Sequence, residues 1–304
     1  MNPFWAWMGS LPVARLLTGF ALSAAIGVLA YRRGALSRSG IGGAILTGAT
    51  IFGFGGWALG SLLLAFFVSS SWLSHYKKRD LRKQRAAEMF EKGGRRDLGQ
   101  ALANGGAAAC FSLLGWVLTA QAVEWGMLGY ACAVGALCTV NADTWATELG
   151  VLSQSPPRLI TRPSRIVPAG TSGGITLLGT SAALGGSTFI ALCSMAFQVV
   201  FNDLLPSPQW LPLAGAAMLG GLFGSLFDSL LGATVQAIYY SERRRKETER
   251  AHERDGTPNH HLRGWRWLNN DWVNFLSSLF GAACTAALFL PFTMGSLPTL
   301  SFSP

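Results

Sequence analysis

Three short stretches of this sequence place carboxylates and amides at the ends of otherwise apolar segments. The first, NADTWATELG (141–150), follows the apolar run GMLGYACAVGALCTV and contains Asp143 and Glu148. Asn141, Thr144 and Glu148 are spaced three and four residues apart and share one helix face, whereas Asp143 lies on a neighbouring face. Ionisable residues within apolar spans are rare and indicate a functional site by default.

The second and third stretches are GSLFDSLLGA, around Asp228, and LNNDWVNFLSS. In the third, Asp271, Asn274 and Ser278 follow helical spacing. Carboxylates and amides without histidine or cysteine are hard oxygen ligands, which suit Mg²⁺ together with substrate phosphates. The four histidines all lie in predicted loops, which argues against zinc. These stretches therefore predict a magnesium site.

Two further stretches offer groups that could bind phosphate. GGRRDLGQALANGG places Arg95 and Arg96 before Asn104. PAGTSGG (168–174) is a glycine-rich turn predicted to enter a helix, where backbone N–H groups form an anion site, although it lacks the GK[ST] of a Walker loop. Each stretch also has a simpler interpretation, because basic residues near a membrane set topology or touch anionic lipid. Their convergence with the acidic stretches on one side of the membrane favours a phosphate site.

The composition predicts an all-α polytopic membrane protein. The chain has 304 residues, of which 50% are hydrophobic and 13% charged, with a mean hydropathy of +0.34. Soluble domains carry about a quarter charged residues. Several apolar runs reach the roughly 20 residues that cross a bilayer, and they do not alternate as the strands of a membrane barrel would. The net charge of +9 is not accompanied by a nucleic-acid-binding motif, so no nucleic acid partner is expected.

The basic residues predict the topology of a single membrane domain over residues 1–304. Of the 24 Lys and Arg residues, all except Arg15 fall into four loops, and positive charge collects on the cytoplasmic side. The N-terminus and the C-terminus are then both outside, and an even number of crossings separates consecutive loops. The predicted cytoplasmic loops are 32–40, 75–100, 151–170 and 241–267.

Because an even number of crossings must separate the basic loops, we predict about seven transmembrane helices. They are arranged as three hairpins plus an N-terminal and a C-terminal helix. The first hairpin, 41–74, must turn at GFGGW, which leaves a first arm of only about 12 residues, short for a full span. Two hairpin arms also align with each other, GALCTVNADT with GGLFGSLFDS, and this pairs Asp143 with Asp228. Internal repeats place binding sites at their interface in many membrane folds, although glycine-rich helices also align by chance.

Two other features have ordinary interpretations. The 241–267 loop contains Glu242/Lys246 and Arg243/Glu247 pairs at a spacing of four, which predicts a solvated helix. The five cysteines lie in apolar runs, are odd in number and show no CxxC spacing, so we expect small buried side chains rather than disulfides or metal ligands.

The motifs together resemble a known family. NADTWATELG, PRLIT, PAGTSGG, GSLFDSLLGA and NNDWVN occur in the order found in the integral membrane family that contains transmembrane protein 19 and plant phytyl-phosphate kinase. The match covers roughly residues 40–290. Thr147 and Ser172 depart from the family's usual DTW[AS]SE and GTNGG, but the carboxylates and glycines are intact.

The resemblance implies a kinase of prenyl-lipid synthesis, and with the magnesium site predicted from the acidic stretches we expect a Mg²⁺-dependent enzyme. Its donor would be a nucleoside triphosphate, CTP or another, and its acceptor an isoprenyl monophosphate such as phytyl or geranylgeranyl phosphate, as in tocopherol biosynthesis. Metal would be bound by Asp143, Asp228 and Asp271. Water or phosphates would be oriented by Glu148, Asn141, Asn104 and Asn274. Phosphates would be bound by Arg95, Arg96, Gly170, Thr171, Ser172, Gly173 and Gly174, with Arg162 or Arg165 as helpers.

Alternatives remain open at this point. Hairpin repeats and buried carboxylates also suit a transporter or a scramblase of a phosphorylated lipid, and a related fold could serve a polyprenol kinase or a cytidylyltransferase. No transit peptide is visible, so we expect a bacterial inner membrane with the active site on the cytoplasmic side. An organellar protein trimmed of its leader would have the same sequence features.

Overall fold

The computed structural model describes residues 12–90, 95–201, 207–253 and 255–293 of the chain, and this part is mostly helical. Seven of the helices are long and apolar enough to cross a membrane, as the composition predicts. The helices are α1 (Val13–Arg32), α2 (Arg38–His75), α3 (Leu81–Ala87), α4 (Leu98–Thr119), α5 (Val123–Gly150), α6 (Leu177–Phe201), α7 (Trp210–Thr234) and α8 (Asn270–Thr293).

Helix α2 is a hairpin of two arms, because Gly56 interrupts it with φ 77° and ψ −174°. The arms fold back on each other. Phe52 lies against Gly60, and a Cβ placed on Gly48 would be 4.0 Å from Leu63 Cδ2. This confirms the predicted turn at GFGGW. The first arm is longer than expected because the helix begins at Arg38, where the Ser37 hydroxyl accepts a hydrogen bond from the Gly40 amide.

Helix α5 is the centre of the bundle. It has 28 residues, or about 42 Å at 1.5 Å per residue, and it packs against α4, α6, α7 and α8. Small residues permit the close approach, since lipid provides no hydrophobic force that would drive helices together. A Cβ on Gly221 would lie 2.6 Å from Cys138 Cβ, so no larger residue fits where α7 crosses α5.

The predicted repeat has a structural counterpart. Gly135 of α5 and Gly220 of α7 occupy equivalent positions in the aligned segments, and both pack on the same residue, Thr285 of α8. The aligned carboxylates Asp143 and Asp228 lie close enough to interact electrostatically. The two arms therefore present their polar ends to the same place.

Two small antiparallel sheets follow α5 and α7, and the sequence did not predict them. The first sheet contains β1 (Arg158–Leu159), β2 (Arg162–Ile166) and β3 (Gly174–Ile175), in the spatial order β2-β1-β3. The second sheet contains β4 (Ile238–Ser241), β5 (Lys246–Thr248) and β6 (His260–Arg263), in the spatial order β5-β4-β6.

The second sheet overturns the solvated helix expected in 241–267. Tyr240 pairs with Glu247 and Ser241 with Lys246 across the β4–β5 hairpin. The expected helical pairs are replaced by ion pairs between Arg243 and Asp255 and between Lys246 and Glu88. Charge spacing alone could not distinguish the two structures, because Glu242, Arg243 and Glu247 are exposed in the sheet as they would be on a solvated helix.

Candidate functional site

A cavity of about 790 Å³ lies at the end of the bundle that carries the basic loops. We call it the central cavity. Helices α4, α5, α7 and α8 and the segments 78–90 and 169–176 all contribute to its wall. Its charged side chains among the described residues are Lys78, Arg79, Lys83, Arg96, Arg250, Asp143, Glu148, Asp228, Glu249 and Asp271.

Three carboxylates from distant parts of the sequence approach one another in this cavity. Asp143 and Asp228 come from the ends of α5 and α7, and Glu249 comes from the chain just after β5. Glu249 interacts electrostatically with both aspartates. The Ser277 hydroxyl of α8 donates a hydrogen bond of 3.0 Å to Asp228 Oδ2. Several negative charges that interact in one cavity are costly unless a cation or a proton offsets them.

Glu148 has a different role from the two aspartates, because it is already paired. The Lys83 ammonium lies 2.7 Å from Glu148 Oε2, and the Ser74 hydroxyl donates to Glu148 Oε1 at 2.6 Å. Lys83 is only 8% exposed and also donates to the carbonyls of Leu73 and Tyr76. This network attaches α3 to the ends of α2 and α5. The supporting role of Glu148 at the site stays a prediction.

Arg96 reaches the cavity from a short extended segment before α4. Its backbone N–H donates to the Ala35 carbonyl, and its own carbonyl accepts from the Ser37 amide. Its guanidinium lies 5.6 Å from the ring centres of both Phe66 and Phe67 and donates to the Ser70 hydroxyl. Burial lowers the pKa of Arg96 to about 10, so the group stays charged at neutral pH.

The amides expected to orient substrate lie between α4 and α8. Asn274 Nδ2 donates to Asn104 Oδ1 at 3.3 Å, and both residues line the cavity together with Gln100 and Asp271. Helix α4 begins with a capping box in which Asp97 and Gln100 bond each other's backbone amides. The D-x-x-Q spacing before a helix is the sequence signal of this cap.

The glycine-rich turn lines the cavity, but not as a helix N-terminus. Residues 170–174 precede the strand β3, and α6 begins only at Leu177. Gly170 and Gly173 have φ of 90° and 81°, the left-handed region that favours glycine. The Thr171 amide donates to Pro168 and the Gly174 amide to Thr171, so these two are engaged in turns. The expected helix-dipole anion site is therefore wrong for this segment.

The turn instead brings the hydroxyls of Thr171 and Ser172 to the wall of the central cavity. The Ser172 hydroxyl donates to Glu249 Oε1 at 2.6 Å, and Gln236 Nε2 donates to the same oxygen at 3.0 Å. The Thr171 hydroxyl is buried in the cavity wall without a hydrogen-bond partner in the described part of the chain. A buried polar group of this kind costs free energy unless a ligand or water satisfies it.

Four of the expected site residues are not brought to the cavity. Asn141 is fully buried, where it accepts from Ser69 and donates to the Gly186 carbonyl, so its role is to hold α2, α5 and α6 together. Arg95 is exposed beside Gly34. Arg162 and Arg165 are exposed on β2. The glycine-rich turn lines the cavity, whereas no residue of β2 does.

Several cavity residues were missed by the sequence reasoning. Lys78, Arg79 and Lys83 belong to the most basic loop, where their number suggested only topology. Glu249 and Arg250 belong to the loop that was expected to form a solvated helix. No signal in the sequence marks these residues, because their approach to the cavity depends on how the loops fold over the ends of the helices.

The carboxylates of the central cavity suit Mg²⁺ only if substrate phosphates and water supply the remaining ligands. The part of the chain that the structure describes contains no group of three or more His, Cys, Asp or Glu side chains placed to hold a metal ion. Asp271 therefore does not join Asp143 and Asp228 in a three-carboxylate site. One or two carboxylates together with substrate phosphates and water are nevertheless the usual Mg²⁺ environment. Asp143 and Asp228 fit that description.

Comparison with known proteins identifies the family. The profile described as integral membrane protein DUF92 matches residues 21–282. The chain belongs to this family. The membership confirms the resemblance indicated by the five motifs, and the protein is a multi-pass integral membrane protein.

Three relatives illustrate the spread of the family. The chain is 34% identical to Protein PGR of Arabidopsis thaliana, over 92% of this chain and 98% of that protein. It is 32% identical to an uncharacterized membrane protein of Methanocaldococcus jannaschii, over 73% and 84% of the two chains. It is 28% identical to Protein VTE6, chloroplastic, of Arabidopsis thaliana, over 81% of this chain and 63% of that protein. No solved structure matches the chain.

Proposed function

We propose that this protein is a kinase that transfers a phosphoryl group from a nucleoside triphosphate, CTP or another, to an isoprenyl monophosphate such as phytyl or geranylgeranyl phosphate. The product is the diphosphate used in prenyl-lipid synthesis. The observation that carries the proposal is a single cavity, at one end of the bundle, that holds Asp143, Asp228 and Arg96 together. The resemblance to the family of plant phytyl-phosphate kinase supports the reaction and the lipid class.

The location of the cavity suits two substrates that partition into different solvents. The acceptor has its tail in hydrocarbon and its phosphate at the membrane surface, whereas the donor comes from water. Asn104 lies near the start of α4, Asp228 near the end of α7 and Asn274 near the start of α8, so the polar groups concentrate at one end of the spans. A transporter would be expected to distribute polar groups along the whole depth of the membrane.

The charges of the cavity support a requirement for magnesium. Among the described residues that line it, five are basic and five are acidic, so the formal charge is zero. Two substrates carrying several phosphate charges need additional positive charge in such a cavity. Asp143 and Asp228 would hold the ion, which when bound neutralises charge on the transferred phosphoryl group.

The chain's own residues then position the reactants. Arg96 would bind the acceptor phosphate, because its guanidinium is fixed by Phe66, Phe67 and Ser70. The Thr171 hydroxyl would donate to the donor phosphates. The acceptor already carries a nucleophilic phosphate oxygen, so no strong general base is needed. Positioning and electrostatic stabilisation supply most of the catalysis in phosphoryl transfer.

The reaction is tested with purified protein in detergent, a set of nucleoside triphosphates, and isoprenyl alcohols and monophosphates. We expect diphosphate formation from a monophosphate, loss of turnover with a chelator and recovery with Mg²⁺. Label transferred from the γ-phosphate supports a kinase, whereas incorporation of the nucleotide's α-phosphate indicates a cytidylyltransferase. Flux of lipid phosphate in liposomes without nucleotide would favour a transporter.

The metal assignment is tested by Asp143→Asn and Asp228→Asn. Each should lower kcat/KM at least about 100-fold, the size typical for loss of an electrostatic group at a reacting centre, while the melting temperature stays near that of the wild type. Asp255→Asn is the matched control, because Asp255 is 51% exposed in a loop outside the central cavity, where it forms an ion pair with Arg243 and accepts a hydrogen bond from the Thr257 amide. Wild-type turnover in Asp143→Asn refutes the assignment.

The proposed location is a bacterial inner membrane, or an organellar membrane, with the central cavity facing the cytoplasm or its organellar equivalent. Support comes from the concentration of Lys and Arg in the loops around the cavity. A cysteine introduced at the loop residue Lys77 should react with an impermeant thiol reagent only after cells are permeabilised. Reaction in intact cells would reverse the orientation.

A further inference from the structure

A second, apolar cavity adjoins the central cavity. It lies between α1, both arms of α2 and α4, and its volume is about 80 Å³. Its wall is formed mostly by aliphatic and aromatic side chains such as Ile26, Leu63 and Phe52. We call it the apolar cavity. The reaction chemistry proposed above does not use it.

The two cavities share one part of their walls. Arg96, Gln100 and Asn104 line both of them. Arg96 lies at this junction with Phe66 and Phe67, which also line the apolar cavity, 5.6 Å from its guanidinium. A molecule with an anionic end beside Arg96 and an apolar body would therefore find a charged partner and an apolar cavity next to each other.

One wall of the apolar cavity reaches the outer surface of the bundle. Leu64 lines the cavity and is 38% exposed on the second arm of α2. Val68, one helical turn away on the same arm, is 57% exposed, so this face of α2 is apolar and uncovered in the described part of the chain. A chain leaving the cavity past Leu64 thus enters lipid rather than water.

The volume limits how much of a lipid the apolar cavity encloses. An engineered protein cavity of about 150 Å³ holds one benzene molecule, which has six carbons. A cavity of about 80 Å³ is therefore suited to a group no larger than one five-carbon isoprene unit. The remaining units of a prenyl chain must lie beyond Leu64.

We propose that the apolar cavity binds the first isoprene unit of the acceptor, with the acceptor phosphate at Arg96 and the rest of the chain in the bilayer. The inference rests on the proposed function for the identity of the lipid. As a consequence, the protein recognises the phosphate and the first isoprene unit but discriminates little between acceptors of different chain length. Geranyl, farnesyl, geranylgeranyl and phytyl phosphates should then be used with similar kcat/KM.

The first experiment measures binding independently of turnover. Geranylgeranyl phosphate carrying a diazirine on its first isoprene unit is cross-linked to the whole protein, and the labelled peptides are mapped. We expect labelling within 60–67 from the first-unit probe but not from a probe with the diazirine on its last unit. Unlabelled phytyl phosphate should compete, and phosphatidylglycerol should not. First-unit labelling outside α1, α2 and α4, or equal competition by phosphatidylglycerol, overturns the proposal.

The second experiment narrows the exit from the apolar cavity. Leu64→Trp should raise KM at least about tenfold for acceptors of two to four isoprene units, compared at equal mole fraction in micelles. Val68→Trp is the matched control, because it adds the same side chain one turn away on the same face without lining either cavity. Unchanged KM in Leu64→Trp, or a large improvement in kcat/KM with each added unit, contradicts the proposal.

The results separate this inference from the proposed function. Expected cross-linking in a protein that transfers phosphate from no nucleotide would refute the kinase and support the lipid subsite. Turnover of prenyl phosphates together with labelling elsewhere would support the kinase and refute the subsite.

Discussion

The buried ion pair between Lys83 and Glu148 provides a quantitative prediction that does not depend on the reaction. The ammonium is 8% exposed and the carboxylate 23% exposed, and their closest atoms are 2.7 Å apart. Breaking a buried pair by removing one partner costs about 3–5 kcal/mol. Glu148→Gln should cost less, about 2 kcal/mol, because Lys83 keeps two carbonyl acceptors and water still reaches the position of Glu148.

Lys83→Met should be worse than Glu148→Gln. It removes all three hydrogen bonds of the ammonium and leaves the carbonyls of Leu73 and Tyr76 and the Glu148 carboxylate without this donor. We expect about 3 kcal/mol. The double variant should cost less than the sum of the two single variants, with a coupling energy of about 1–2 kcal/mol, as for residues in direct contact.

The assay is thermal unfolding in detergent of a protein in which the other four cysteines are replaced by alanine, followed by a thiol-reactive fluorophore that reports exposure of the buried Cys138. At roughly 2 °C per kcal/mol for a chain of this size, Glu148→Gln should lower the melting temperature by about 4 °C and Lys83→Met by about 6 °C. Arg243→Gln is the control, because it breaks an exposed ion pair with Asp255 and should cause no resolvable change. Additive shifts from the two single variants, or shifts below 1 °C, would refute the pairing described here.

Three further predictions concern backbone strain, helix packing and acceptor binding. Gly56→Ala should lower the melting temperature by a few degrees, because φ 77° with ψ −174° is nearly exclusive to glycine, whereas Gly42→Ala, which meets nothing within 4 Å, should not. Gly221→Leu should abolish folded protein on gel filtration, because it collides with α5, whereas Gly215→Leu has open space and should be tolerated. Arg96→Lys should raise KM for the lipid phosphate about tenfold with a smaller change in kcat, because a lysine cannot reproduce the planar contacts with two rings; an unchanged KM would remove Arg96 from the acceptor site.

The spans were predictable because hydropathy and charge are local properties of the sequence. The break at GFGGW was predicted because the basic loops on either side of 41–74 require two crossings between them, and Gly56 confirms it. The three acidic stretches were recognisable because a carboxylate in an apolar helix is unusual whatever surrounds it. The spacing of NADTWATELG also predicted that Glu148 and Asp143 lie on different faces, since helical period alone determines which residues share a face, and the two side chains do meet different partners, Lys83 and Asp228.

The loops were not predictable in the same way. The 241–267 segment satisfies the charge spacing of a helix and yet forms a sheet, because strand pairing with 260–263 depends on contacts beyond the local pattern. Arg162 and Arg165 were expected to help bind the phosphates. They are exposed because β2 is the edge strand farthest from β3 in its sheet.

The sequence by itself determined where the chain crosses the membrane, which helix ends carry carboxylates, and which family the motifs resemble. The tertiary structure decided which groups those carboxylates meet. Lys83 reaches Glu148 across 65 residues, and Ser172 reaches Glu249 across 77. Such partners leave no local signal, because the free energy that selects them comes from contacts between loops and helix ends that exist only in the folded chain.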